Sequence, residues 1–394
     1  MIKNSYGPTL PISEEIHATK YRSEGETFYE AMTRVADALK DDNVHFGQFR
    51  TILLNQRFLP AGRVQSAMGA PRTVTPYITR AVARAAKTMQ LGGGIGYDFS
   101  TLRPHGALIK SLDSKSSGPL SFMGIFDATC KTISSAGHRR GAQMAVMRVD
   151  HPDIEKFIRA KNNSTDLTQF NMSVAVTDKF MEAVKLDKDF DLVFEGTAYK
   201  TVKAKALWDD ILRSTWDWAE PGILFIDRIN QKNNLHYCEE IAATNPCGEQ
   251  PLPPNGACLL GSFNLAKYVV EHDGKYVFNM NMLKNDIPWV VRAMDNVVDR
   301  ATYPLPEQEE EAKNKRRMGL GVTGVANAIE ALGFDYGSDD FIRIFEDIMA
   351  TIRDECYKAS IELAKEKGKF PLFKKDYLTS GFAMTLPTEI RTEI

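Results

Sequence analysis

Apolar side chains recur every three to four residues through 26–39. Phe28, Met32, Val35 and Leu39 fall on one face there, and the spacing predicts a helix. A second helix is expected over 46–55. An earlier one begins near Ser13, whose hydroxyl precedes Glu14 and Glu15 in the first turn. Residues 1–60 therefore read as mainly helical, followed by a loop at Pro60-Ala61-Gly62. Further helices are expected over 80–91, 118–136, 204–219, 287–302 and 339–367. Another opens at His151-Pro152-Asp153, because proline suits a first helical turn. Between the helices lie short apolar runs that read as strands: 94–99, 142–149, 172–176 and 223–226. Loop and strand are expected over 245–265, and a glycine-rich strand and turn over 317–324. Strands alternating with helices imply an α/β fold with parallel pairing. The chain shows neither an internal repeat nor a low-complexity tract.

Composition narrows the field without choosing a function. Hydrophobic residues make up 43% of 394, enough for one large core or two smaller ones. The 49 basic side chains nearly balance 51 acidic ones, so bulk charge calls for no nucleic acid, membrane or acidic partner. No apolar run reaches the length of a membrane span, and the N-terminus has no secretory apolar segment. A soluble, cytoplasmic chain is expected. Five cysteines, an odd count without C-x-x-C spacing, argue against a disulfide framework and against zinc. His105, His138 and His151 have no metal-ligand spacing either, so no metal site is expected. Cys130 and Cys356 fall inside expected helices and read as packing. Cys238 stays open between packing and chemistry, with packing preferred.

The candidate chemistry lies at Asn245-Pro246-Cys247-Gly248-Glu249. Proline removes a donor and fixes one dihedral, and glycine permits unusual ones, so this stretch makes a poor helix and a good tight loop. Such a loop presents an amide, a thiol and a carboxylate at one point. Together they can supply orientation, hydrogen transfer and acid–base catalysis. Cys258 follows at the head of an apolar strand, close enough in sequence to share the site. Two other features stay ambiguous by themselves. The glycines from 92 to 96 lack the strand–turn–helix order of a dinucleotide fingerprint. Arg139 and Arg140, flanked by glycines, suit either a solvated turn or phosphate contacts.

The run Ala243-Thr244-Asn245-Pro246-Cys247-Gly248-Glu249-Gln250-Pro251-Leu252, followed by Cys258 and Gly261-Ser262-Phe263-Asn264-Leu265, resembles the finger loop of the ribonucleotide reductase large subunit. Residues 89–104 are similar to the family's first barrel strand and the entry to its effector region. Residues 117–144 resemble its effector loop, and residues 316–324 a later barrel strand. The resemblance implies a helical region over 1–75. It also implies part of a ten-stranded α/β barrel over 76–394, with the effector loop near 137–144 and a central finger loop near 245–250.

The implied activity is thiyl-radical reduction of ribonucleoside di- or triphosphates to 2′-deoxyribonucleotides. On this resemblance Cys247 becomes the thiyl radical that abstracts the 3′-hydrogen. Glu249 takes the 3′-hydroxyl proton, and Asn245 hydrogen-bonds the substrate hydroxyl. Cys258 is one of two cysteines oxidised to a disulfide. Ser66, Gly93 and Gly94 are expected at the substrate. Lys110, Arg139 and Arg140 are expected at a deoxynucleoside triphosphate or ATP effector. The implied cofactors are an external thiol reductant and a radical source, either adenosylcobalamin or a metal-containing small subunit. The implied partners are the ribonucleotide, a second copy in a homodimer, that small subunit where it is the source, and a downstream fragment completing the barrel.

The sequence departs from the family pattern in one informative place. Thr75-Pro76-Tyr77 runs directly into Ile78-Thr79-Arg80-Ala81, where the family carries its second redox cysteine and then an acidic effector contact. No cysteine precedes Cys130. The alternative expectation is therefore an inactive or complementation-dependent nucleotide-binding chain on the same scaffold. The later barrel strands, the radical-relay tyrosines and the C-terminal cysteine tail are expected beyond Ile394, and the short N-terminus is expected to leave no room for an ATP-cone. A glycyl-radical enzyme on the same barrel would need a glycine loop near the C-terminus, which this sequence lacks.

Overall fold

The computed structural model describes residues 6–23, 25–67, 81–90, 93–109, 114–135, 139–162, 165–257, 259–303 and 305–394. Lys110, His138, Cys258 and the departing stretch 75–80 lie outside them. The chain divides into two compact units. One comprises Met1–Val74, Ala257–Leu378 and Met384–Ile394, and the other Thr75–Gly256 and Thr379–Ala383. Among the described residues two larger sheets are built from β1 (Phe58–Pro60), β2 (Gly94–Asp98), β3 (Ala142–Arg148), β4 (Phe170–Val176), β5 (Gly222–Phe225), β6 (Leu259–Asn264) and β7 (Met318–Thr323).

In the unit formed mainly by 75–256, the sheet order is β5-β4-β3-β2 and every pairing is parallel. Both β3 and β4 are buried over most of their length, as parallel strands covered on two faces must be. One face carries Ala145, Met147, Phe170, Met172 and Val174 into a core shared with Phe99, Phe126, Phe157 and Ile211. The opposite face presents Met144, Val146 and Ala175 to Ile226 and Ile241.

A hairpin of Asp189–Phe194 and Thr197–Lys203 extends this unit, where the sequence reading assigned no element. Its signal is local. Phe190 and Leu192 are buried between exposed Asp189 and Asp191, a period of two. Glu195 and Gly196, both at positive φ, make the tight turn. Three further boundaries shift. The helix expected over 118–136 is Pro119–Thr132, and Ser134–Ser135 pairs instead with Arg139–Arg140. The helix expected from 151 starts at Ile154 with Asp153 at its N-cap. Ile226 opens a helix rather than closing β5.

In the other unit β6 pairs antiparallel with β1 and parallel with β7. Helix Phe28–Leu39 begins with a capping box: Thr27 Oγ1 accepts from the Glu30 N–H, and the Glu30 carboxylate accepts from the Thr27 N–H. The first helix starts at Pro11, two residues before the expected Ser13. Helix Met280–Arg300 starts seven residues before the expected 287 and runs through Pro288. Asn279 caps it, accepting from the Met282 N–H at 3.0 Å, and Leu283, Ile287, Val290, Met294 and Val297 are buried along it. Burial of that stripe outweighs the cost of an internal proline, about 3 kcal/mol. Phe58 is fully buried in this core and tilts against Phe263 at 5.4 Å between ring centroids.

Two buried histidines in this unit are fixed in the neutral state. His45 Nδ1 accepts from the Asp41 N–H at 3.1 Å, leaving Nε2 to donate to the Trp289 carbonyl at 3.1 Å. His17 Nδ1 accepts from Arg22 Nε at 3.0 Å, leaving Nε2 to donate to Gln65 Oε1 at 2.9 Å. Burial lowers the pKa of both. Among the described residues no helix is long and apolar enough to cross a membrane.

Two outcomes are expected from this packing. Phe58→Ala removes a fully buried ring and should destabilise its unit by about 3–5 kcal/mol, read as a lower denaturant midpoint. Because the folded state disfavours protonated His17 and His45, the unfolded chain binds protons more readily in mild acid. The stabilisation is complete above the ordinary histidine value of 6.5 and declines as pH falls below it. Chemical denaturation from pH 8 to pH 5 should show this loss, and His45→Gln should flatten the slope.

Candidate active site

The site begins as a hairpin. Ala243–Thr244 pairs antiparallel with Pro251–Leu252, and the loop between them carries Asn245, Cys247 and Glu249. Asn245 to Gly248 form a β-turn, with the Gly248 N–H donating to the Asn245 carbonyl at 3.1 Å. Proline at the second turn position is the residue the turn favours. Gly248 follows at φ +87°, a conformation glycine adopts without strain. The Asn245 side chain closes the loop, as Oδ1 accepts from the Gln250 N–H at 2.9 Å. The Asn245 N–H in turn donates to the Gln250 carbonyl at 3.0 Å. Pro246 is buried, whereas Cys247 and Glu249 are exposed and Asn245 is half-buried.

The sheet of the same unit holds this hairpin. Registered partners Gly96, Met144 and Asn171 run across β2, β3 and β4. A Cβ on Gly94 would overlap the Pro246 ring, and one on Gly96 would overlap the Thr244 carbonyl oxygen. Bare backbone on that face of β2 is therefore what admits the hairpin. Met144 Cε lies 3.8 Å from where a Gly248 Cβ would stand. Asn171 Nδ2 donates to the Pro246 carbonyl at 2.7 Å. Behind the hairpin, Asn230 engages both polar groups of Ile241: Nδ2 donates to its carbonyl at 2.8 Å and Oδ1 accepts from its N–H at 2.8 Å.

The structure brings together only part of the sequence-predicted set. Asn245, Cys247 and Glu249 share one loop, and Gly94 lies directly beneath it. Gly93 is buried, its N–H donating to the Thr88 carbonyl at 2.7 Å. Ser66 lies in the helix Gly62–Ala67 of the other unit, and Arg139–Arg140 forms a short strand. Lys110 and Cys258 fall outside the described residues.

Of the remaining cysteines, Cys130 packs with Ala85 and Met89, and burial pushes its thiol up to about 11. Cys356 is likewise pushed up to about 12 by burial. Cys238 is exposed, so the packing preferred for it does not hold. Among the described residues no group of three His, Cys, Asp or Glu side chains gathers as metal ligands. Asn171, Met144 and Gly96 were not singled out from sequence. Gly96 did carry a signal, since glycines at 94 and 96 leave one face of a strand empty. For Asn171 the signal is only a polar side chain in an apolar strand.

The sequence pattern of the family described as "Ribonucleotide reductase, barrel domain" matches residues 73–389. A vitamin B12-dependent ribonucleoside-diphosphate reductase of Thermoplasma acidophilum is 42% identical over 283 residues, covering 71% of this chain and 36% of the relative. One of Mycobacterium tuberculosis is 38% identical over 341 residues, covering 83% and 49%. A ribonucleoside-diphosphate reductase subunit alpha of Chlamydia pneumoniae is 26% identical over 343 residues, covering 78% and 32%. The chain thus spans between about a third and a half of the length of these relatives. With its loop on a glycine-faced strand and a family match over most of its length, the chain belongs to the ribonucleotide reductase barrel-domain family.

Proposed function

We propose that this chain carries the radical thiol of a ribonucleoside-diphosphate reductase and acts in the cytoplasm on the route to deoxyribonucleotides. The observation that carries the reading is Cys247, exposed at the tip of a turn whose backbone is fixed from behind. Residues 76–394 are read as part of a ten-stranded α/β barrel, with 1–75 as the helical region before it. The family match from residue 73 supports that division.

The net reaction takes one ribonucleotide and two thiols to one 2′-deoxyribonucleotide, one water and one disulfide. Cys247, as a thiyl radical, abstracts the 3′-hydrogen and returns a hydrogen atom at the end of the cycle. Glu249 accepts the 3′-hydroxyl proton. Such general-base assistance is worth roughly 10² to 10⁴ in rate. Asn245 holds a substrate hydroxyl. Its Oδ1 is engaged by the Gln250 N–H, so it meets that hydroxyl through its Nδ2 protons. Cys258 supplies one of the two reducing thiols, and an external thiol reductant restores the site. Gly93, Gly94 and Ser66 are proposed as substrate-binding residues. Lys110, Arg139 and Arg140 are proposed as contacts to a deoxynucleotide or ATP effector.

The names of the Thermoplasma and Mycobacterium relatives favour adenosylcobalamin over a metal-containing small subunit as radical source. The chain fits such a group in one respect. Cys247 is exposed while Pro246 behind it is buried, so the loop leaves this residue accessible to a hydrogen-atom acceptor. When bound, adenosylcobalamin supplies the one-electron oxidising equivalent that turns a thiol into a thiyl radical. On this reading the assembly is a homodimer needing no small subunit.

Cys247→Ser tests the reading. A hydroxyl gives up its hydrogen atom far less readily than a thiol, so deoxynucleotide formation should vanish while ribonucleotide binding persists. The assay supplies adenosylcobalamin, a dithiol and the chain's natural complement of partner polypeptides. Full activity in the serine variant would refute the role given to Cys247.

A further inference from the structure

A four-residue turn such as the one that carries Cys247 can in general adopt either of two backbone forms that differ in its central peptide. Asn245, Pro246, Cys247 and Gly248 occupy the four turn positions, closed by the bond from Gly248 to Asn245. The peptide joining Pro246 to Cys247 is the central one. Flipping it by about 180° exchanges the type I and type II turns, and the type II form needs positive φ at the third position. Cys247 is not in the left-handed region, so the turn is in the type I state. A cysteine Cβ disfavours the other state without forbidding it. The carbonyl of that central peptide is the Pro246 oxygen, which accepts from Asn171 Nδ2 at 2.7 Å.

Asn171 stands one residue inside the start of β4, between Phe170 and Met172, whose side chains enter the core on the opposite face. Its partner across the ladder is Met144, next to Gly248. The amide therefore reaches the turn from a strand whose register is fixed by parallel pairing on both sides. We infer that Asn171 is a positioning residue. By holding the Pro246 carbonyl it locks the central peptide, and so fixes the direction in which the Cys247 thiol leaves the loop. The inference rests on the reading of Cys247 as the radical thiol. It adds a requirement on aim, since hydrogen transfer depends steeply on the approach of donor to acceptor.

Two full-chain variants test it. Asn171→Ala removes the donor. Asn171→Asp keeps the shape but sets a carboxylate, which only accepts, against a carbonyl that also only accepts. In both, hydrogen exchange of the 243–252 peptide should quicken about fivefold, the loss of one hydrogen bond, while β3 peptides keep the parent rate. In turnover with a cytidine or adenosine diphosphate, kcat should fall by about ten- to a hundredfold with KM changed by less than about twofold.

Parent-like exchange of the hairpin in Asn171→Asp would overturn the inference. So would a loss carried by KM alone, which would make Asn171 a substrate contact. A parent chain that forms no deoxynucleotide would count against the reductase reading. The exchange measurement would still decide whether Asn171 holds the turn.

Discussion

The close approach of the 243–252 hairpin to β2 is the contact on which the rest of the site depends. A strand normally projects a side chain from each face at every second residue. Here Gly94 and Gly96 leave one face empty, and the hairpin backbone fills the space. The Pro246 ring takes the room above Gly94, and the Thr244 carbonyl the room above Gly96. The remaining contacts follow from that seat. Asn171 can reach the Pro246 carbonyl because the loop lies low on the sheet. The Met144–Ile241 cluster can close behind it for the same reason. Any side chain at 96 would lift the hairpin and loosen these contacts together, so the glycine face governs the loop as a whole.

Much of this was legible in the sequence, and the exceptions have physical causes. The expected runs 94–99, 142–149 and 172–176 are the strands Gly94–Asp98, Ala142–Arg148 and Phe170–Val176, which follow from apolar residues bounded by polar or glycine ones, and the chemistry of 245–249 follows from proline and glycine around three functional side chains. The expected helix 287–302 began one residue before Pro288, whereas a buried stripe extends the helix back through that proline to Met280. The 189–203 hairpin escaped because charged residues alternate with its two buried ones, and the pattern is brief. The Asn171 contact was out of reach for another reason. It joins residues 75 positions apart, and neither propensity nor periodicity carries information about such pairs. Cys238 was judged by residue type, and its exposed turn contradicts the average for buried cysteines.

A further consequence concerns which groups of the loop remain available. The backbone is held by the turn bond, by Asn171 and by the Gln250 N–H, which engages Asn245 Oδ1. Among the described residues the structural demand on the three functional side chains is therefore small: Asn245 engages the Gln250 N–H through Oδ1, while Cys247 and Glu249 are exposed. A residue that both anchors a loop and changes its protonation or radical state would couple chemistry to unfolding of the site. Here the two tasks fall to different atoms: backbone, glycine and Asn171 hold, while thiol and carboxylate are left to react. On the reductase reading this separation has a purpose. Cys247 must cycle between thiol and thiyl radical many times, and a loop held by neither state keeps the same shape through both.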